Sequence, residues 1–206
     1  MYHPLKIGIA GPSGSGKTTL AAMIGSDIRS DTVMISQPIK EILALLTPYS
    51  VQQMSHGEWR EASIPGHPTQ LSIREAMQKT GDFFKSLLGE DVFINAALRQ
   101  ADTKRSTSRC VLFTDVRTEL EQQRIIDDGG IVIILRRDNL GDDQVVSKHA
   151  TETSYMNLVR QKPDLLNEKI FIVDNNGTYF ELQDKVYSII QLLNRRQISP
   201  NEIYLN

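Results

Sequence analysis

The stretch Gly11-Pro12-Ser13-Gly14-Ser15-Gly16-Lys17-Thr18 decides how the rest of the chain is read. Its spacing is a glycine, four residues, then Gly-Lys-Thr, the pattern of a loop whose backbone N–H groups turn inward around a phosphate. The flanks agree with that reading. Leu5-Lys6-Ile7-Gly8-Ile9-Ala10 before it is a short, mostly apolar strand, and Thr18-Thr19-Leu20-Ala21-Ala22-Met23-Ile24 after it begins a helix. A phosphate in such a loop also meets the partial positive charge of the helix N-terminus. Lys17 is then expected to reach the β- and γ-phosphates of a nucleoside triphosphate, and the Thr18 hydroxyl to ligate Mg²⁺. A glycine-rich turn that matched by chance would not bring strand, loop and helix into register. Gly11, Ser13, Gly14, Ser15, Gly16, Lys17, Thr18 and Thr19 form the expected nucleotide-binding set.

The bulk properties narrow the setting. A chain of 206 residues fits one α/β domain, or a domain with an inserted lid, and is long enough for a proper core. A formal net charge of −2 argues against a protein that coats nucleic acid non-specifically, although it leaves room for a local basic groove. No stable nucleic-acid complex is expected. The single cysteine, Cys110, sits in an apolar stretch and has no partner for an internal disulfide, which fits a reducing compartment and a core position. The first ten residues read as a strand rather than a signal peptide, and no apolar run approaches ~18 residues, so no membrane span is expected. The expected location is the cytoplasm.

Strands and helices alternate along the chain. After the first strand and a helix to about Asp27, Asp31–Ser36 reads as a second strand and Pro38–Leu46 as a helix with proline in its first turn. Residues 47–70, rich in proline, glycine and histidine, look irregular. Ser72 with Glu75 three residues on is a capping box that opens a helix to about Leu88, and Val92–Lys104 is a further helix. Cys110–Thr114 is an apolar strand ending at Asp115. The helix Glu119–Asp128 stops at Gly129-Gly130, and Ile131–Leu135 is another apolar strand. Ile170–Val173 and Tyr179–Leu193 read as the last strand and helix. Continuous apolar strands of this kind are buried on both faces, so the predicted fold is α/β, a parallel sheet of about five strands sandwiched by helices. The expected organisation is a single domain over residues 1–206, with an insertion at about 38–105 and a lid at about 137–167. Ligands in such sheets bind beyond the carboxyl ends of the strands.

The loop alone does not separate hydrolysis from phosphoryl transfer. Asp115, after an apolar strand, can hold Mg²⁺ as the second acidic element of phosphate-loop enzymes does. A motor-type ATPase usually follows that aspartate with a glutamate to activate water; Val116 stands there instead, followed by Arg117. A cation at that place suits a second phosphorylated substrate, and it also suits an ion pair with Glu121 four residues on. Arg136, Arg137, Lys148, His149 and Arg160 follow the fourth strand in a polar stretch. They read either as a solvated charged loop or as a closing lid that brings cations to the transferring group. No guanine-reading Asn-Lys-x-Asp is present.

Several stretches together resemble the bacteriophage-type deoxynucleoside monophosphate kinases, a branch of the P-loop kinases. They are Pro38-Ile39-Lys40, Trp59-Arg60-Glu61 with Ile64, Ser72 to Gly81, Thr114-Asp115-Val116-Arg117, His149-Ala150-Thr151-Glu152 and Asp174 to Thr178. The resemblance runs from Gly11 to Gly177. It implies transfer of a phosphoryl group from ATP, with Mg²⁺, to the 5′-phosphate of a deoxynucleotide, in a host cytoplasm if the source is viral. By that resemblance, Lys17, Asp115, Arg117 and Arg136 serve catalysis, and Thr18 and Asp115 hold the metal. Lys40, Arg60, Arg74, Gln78, Arg117, His149 and Glu152 serve the acceptor, and Asn175 and Gly177 lie in a turn beneath the adenine. Residues 74, 78 and 81 share one helix face, where Arg74 offers a forked donor and Gln78 both donates and accepts. An ordinary polar surface helix reads the same way, and Asp-Asn and Asn-Gly form turns wherever they occur. The resemblance leaves a homodimer open. Rival readings are a kinase for another acceptor, such as phosphomevalonate or a modified base in DNA, and a nucleotide-binding regulator that transfers nothing.

Overall fold

The apolar runs become a parallel sheet. The computed structural model describes residues 5–104, 109–138 and 156–197. The strands are β1 (Leu5–Ala10), β2 (Ser30–Val33), β3 (Cys110–Val116), β4 (Ile131–Arg136) and β5 (Ile170–Asp174), in the spatial order β2-β3-β1-β4-β5. The helices among the described residues are α1 (Lys17–Asp27), α2 (Gln37–Leu46), α3 (Val51–Ser55), α4 (Ile73–Leu88), α5 (Val92–Thr103), α6 (Glu119–Asp127), α7 (Asn157–Gln161) and α8 (Tyr179–Gln197). The predicted fold class is the one observed, a five-stranded parallel α/β sheet flanked by helices. No helix of the described residues is long and apolar enough to cross a membrane.

The strand order sets where the chemistry can sit. β1 lies between β3 and β4, and its last residue, Ala10, pairs with Val116 on one side and Ile134 on the other. The loop that leaves β1 is therefore flanked by the ends of β3 and β4. The β1–β3 register is irregular there: Gly8 faces Phe113, whereas Ala10, two residues on, faces Val116, three residues on. One extra residue is thus accommodated in β3 around Thr114-Asp115, and such bulges re-aim side chains beside functional sites. Ile7, Ile9, Leu112, Ile133 and Leu135 pack with Leu20, Met23 and Ile24 of α1 and with Leu182, Val186 and Ile190 of α8. The last three are spaced four apart, one stripe of a helix. Cys110 belongs to the same core, where burial pushes its thiol up to about 12, so it stays protonated and inert near neutral pH.

The chain divides into two compact units, one of Met1–Thr32 with Lys104–Asn206 and one of Val33–Thr103. The second is helical, with a core of Leu43, Met54, Ile73 and Ala76 joined by Ile39, Tyr49 and Leu71. Its irregular stretch has more order than the sequence led us to expect. Ser50 and Gln53 cap α3 reciprocally, Gly57–Trp59 is a 3₁₀ turn, and Ser63 bridges Ser72 in antiparallel fashion. The second strand ends at Val33, shorter than expected, because Gln37 N–H donates to the Met34 carbonyl at 3.1 Å and turns the chain into α2. Reciprocal capping boxes also open α4 (Ser72, Glu75), α6 (Thr118, Glu121) and α8 (Thr178, Glu181). Each cap contributes roughly 1 kcal/mol.

Candidate active site

The loop after β1 is shaped by its glycines. Gly11, Gly14 and Gly16 have φ of 138°, 74° and 99°, the region in which a side chain is strained. Space forbids side chains as well as torsion does. A Cβ on Gly11 would stand 2.5 Å from the Leu135 carbonyl oxygen, and one on Gly16 would stand 2.5 Å from Nδ2 of Asn175. Gly16 is the N-cap of α1, whose first closing bond runs from Leu20 N–H to the Gly16 carbonyl at 2.9 Å. Lys17 folds back over the loop, its Nζ donating to the carbonyls of Gly11 at 2.8 Å and Pro12 at 2.6 Å. Ser15 is fully buried and its Oγ has no hydrogen-bond partner among the described residues, while Ser13, Gly14, Thr18 and Thr19 are exposed.

The ends of β4 and β5 close on this loop. Arg136, the last residue of β4, pairs with Asp174, the last of β5: Nε donates to Oδ1 at 2.7 Å and a terminal nitrogen to Oδ2 at 2.9 Å. The guanidinium holds the Asp174 carboxyl below the usual carboxylate range. Arg136 thus finishes a strand and presents its fork to the neighbouring strand. Its successor comes nearer the loop, with Arg137 Nη1 donating to the Gly14 carbonyl at 3.4 Å. Asn175 N–H donates to the Arg136 carbonyl at 2.8 Å, and its side-chain amide donates to the Ser15 carbonyl at 2.8 Å. Asp138 N–H donates to Oδ1 of Asn176, whose amide donates back to the Asp138 carboxylate at 2.5 Å. Gly177 has a local reason: a Cβ there would collide with the Glu181 carboxylate, which caps α8 by accepting from Thr178 N–H.

At the end of β3, Asp115 is half-buried and Arg117 exposed. Glu121 Oε2 accepts from the backbone N–H of Arg117 at 2.7 Å and of Thr118 at 3.0 Å, so this carboxylate caps α6. The hydroxyl of Thr18, in the first turn of α1, and the carboxylate of Asp115, near the end of β3, are hard oxygen donors, and β3 neighbours the strand β1 that leads into α1. That sparse set fits Mg²⁺, which keeps several waters and takes one or two protein oxygens together with substrate phosphates.

The helical unit holds the residues expected to meet an acceptor. Lys40 is buried on α2, its Nζ donating to Ser55 Oγ at 3.1 Å beside Met34 Sδ. Arg74 Nε donates to Glu61 Oε1 at 2.5 Å, and Arg74 N–H donates to the Arg60 carbonyl at 2.9 Å. The structure thus brings Arg60, Glu61 and Arg74 together across the start of α4. Gln78 is exposed one turn further along. Gly81 is buried, and a Cβ there would meet Ile39 Cδ1 at 3.4 Å, so its neighbour is a side chain of α2. His149 and Glu152 lie outside the described residues, as does most of the expected lid. Sequence reading did not single out the Asn175 contact with the loop. The only hint was asparagine just after an apolar strand, the place where ligands of such sheets bind.

No family model matches the chain, and no curated protein matches it. Among solved structures it is similar to shikimate kinase from Acinetobacter baumannii in complex with shikimate, at 14% identity and a TM-score of 0.50, covering 96% of this chain and 97% of that one. It is also similar to TT1252 from Thermus thermophilus, at 15% identity and a TM-score of 0.53, covering 92% and 97%. At this identity the likeness concerns the fold alone, a five-stranded parallel α/β sheet flanked by helices.

Proposed function

We propose that this chain is a kinase that transfers the γ-phosphoryl group of ATP, as its Mg²⁺ complex, to the 5′-phosphate of a deoxynucleoside monophosphate. The observation that carries the reading is the phosphate loop itself, with three glycines at positive φ and Lys17 held at its rim by two carbonyls. Lys17 would exchange those carbonyls for phosphate oxygens. Thr18 and Asp115 would hold Mg²⁺, which draws charge from the phosphates as it builds up. The acceptor oxygen is already ionised, so no general base is needed and catalysis reduces to position and charge. Arg137 stands at the loop and would stabilise the transferring group. Arg60 and Arg74, together at the start of α4, are the candidates for gripping the acceptor, with Lys40, Gln78 and Arg117 in supporting roles. The sequence resemblance singles out a deoxynucleotide acceptor, and a shikimate kinase of like fold supports small-molecule phosphorylation more broadly. A buried, inert Cys110 is compatible with a cytoplasmic setting.

The test is an ADP-release assay with MgATP and each of the four deoxynucleoside monophosphates, the product being identified as the diphosphate. Base-dependent stimulation is the expected result. Stimulation by phosphomevalonate or by duplex DNA instead would move the acceptor assignment. ATP binding with no stimulation by any acceptor would favour a nucleotide-sensing regulator.

A further inference from the structure

We propose that Asn175 is a positioning residue of the phosphate loop, fixing the Ser15–Gly16 peptide so that the Gly16 N–H faces the phosphates of the bound nucleotide. This rests on the reading of residues 11–18 as a nucleotide site and not on the identity of the acceptor. The Asn175 amide donates to the Ser15 carbonyl at 2.8 Å. A trans peptide points its C=O and N–H in opposite directions, so anchoring that carbonyl turns the Gly16 N–H away from Asn175. Inward-turned N–H groups are what a phosphate loop offers its anion. The contact also accounts for the glycine: Nδ2 occupies the place of a Gly16 Cβ, 2.5 Å from it.

The backbone that carries the amide is itself held. Asn175 N–H is bound to the Arg136 carbonyl, Asp174 is locked to Arg136 by a two-pronged pair, and Asn176 is tied to Asp138 by reciprocal bonds. Aspartate would set a carboxylate against the Ser15 carbonyl, alanine would leave that carbonyl free to turn, and glutamine would overfill the space beside Gly16. The role differs from that of a residue beneath the adenine, because it acts on the phosphates through the loop.

The experiment measures binding of MgADP, and of magnesium tripolyphosphate as a base-free probe, to the full-length protein and to the Asn175→Ala and Asn175→Asp variants. Both probes should lose affinity by the same factor, about tenfold for alanine and more for aspartate, as expected for one lost anchoring bond plus repulsion. The ¹⁵N–¹H signal of Gly16, which should move sharply when ADP is added to the wild type, should respond weakly in the variants. A variant destabilised without ligand would still report through that signal. Unchanged affinity in both variants would overturn the proposal. So would weaker ADP binding with tripolyphosphate spared, since the amide would then be reading the base. A wild type that binds neither probe would remove the nucleotide-site reading and this proposal with it, whereas a wild type that binds ADP but phosphorylates no deoxynucleotide would leave it standing.

Discussion

The loop after β1 and the helical unit are built by different means. Around the phosphate loop the shaping groups are backbone: glycines at positive φ, the carbonyls that hold Lys17, and the Ser15 carbonyl that Asn175 grips. In the helical unit the candidate groups are long side chains that already have protein partners, Lys40 with Ser55 and Arg74 with Glu61. A site made of backbone is fixed by torsion and sterics and tolerates almost no substitution. A site made of side chains is tuned by exchange of partners, so single changes there should shift affinity without abolishing it. The contrast predicts a steep gradient of mutational effect between the two regions.

The largest effect should come from Lys17→Ala. Removing a pre-organised cation aimed at the charge that develops in the transition state should cost about 10²–10³ in kcat or more. The protein should stay folded, because the lost bonds go to carbonyls on a half-exposed loop. A folded Lys17→Ala protein with normal turnover would erase the contrast altogether. Gly16→Ala should come next. It forces a side chain to φ 99° and drives a Cβ to within 2.5 Å of the Asn175 amide, so strain of about 1–3 kcal/mol plus a displaced clip should weaken MgADP by roughly tenfold or more. Calorimetric titration checks it.

The same contrast explains what could be read from sequence. The loop is a local motif with fixed spacing, and the strands are apolar runs, so the parallel sheet and residues 11–18 were both legible. Contacts between segments far apart in the chain were not. Nothing local to Arg136 announces Asp174, on the neighbouring strand β5, as its partner, and nothing local to Asn175 announces Ser15. Gly81 shares a helix face with Arg74 and Gln78 in sequence, and only the packing shows Ile39 as its neighbour. Residues 47–70 looked irregular because their order comes from caps and one bridge rather than from periodicity.

The acceptor side should respond by degrees. Arg74→Ala is expected to raise the acceptor KM by up to about tenfold, the low end for one charge-assisted hydrogen bond because Arg74 must first leave Glu61, while the ATP KM stays within about twofold. Glu61→Gln releases Arg74 from its carboxylate and should lower the acceptor KM, by less than about fivefold, because the pair is exposed and such pairs are weak. Steady-state kinetics with the acceptor and ATP varied separately would show the split. Equal rises in both constants for Arg74→Ala would place it outside an acceptor site.

The smallest effect belongs to the pair that closes the nucleotide side, and it tests whether a side-chain bond there matters at all. Arg136 holds the Asp174 carboxyl below its ordinary value, so the folded state favours the charged form. That stabilisation is fully present above the unfolded pKa of about 3.9 and is lost as pH falls through the depressed folded value. Both side chains are nearly half exposed, at 45% and 47%, so solvent screens the pair and its worth is no more than about 1 kcal/mol. Asp174→Asn should therefore lower the melting temperature by roughly 2 °C at pH 7, and the gap from wild type should close below about pH 4. The more telling readout is ADP affinity. If the pair only trims stability, Asp174→Asn should bind MgADP as the wild type does. If it also sets Asn175, whose N–H is bound to the Arg136 carbonyl, affinity should fall in step with the Asn175 variants. The second outcome would make the β4–β5 closure part of the phosphate loop's scaffold, and a side-chain pair would then belong to the backbone-built half of the site.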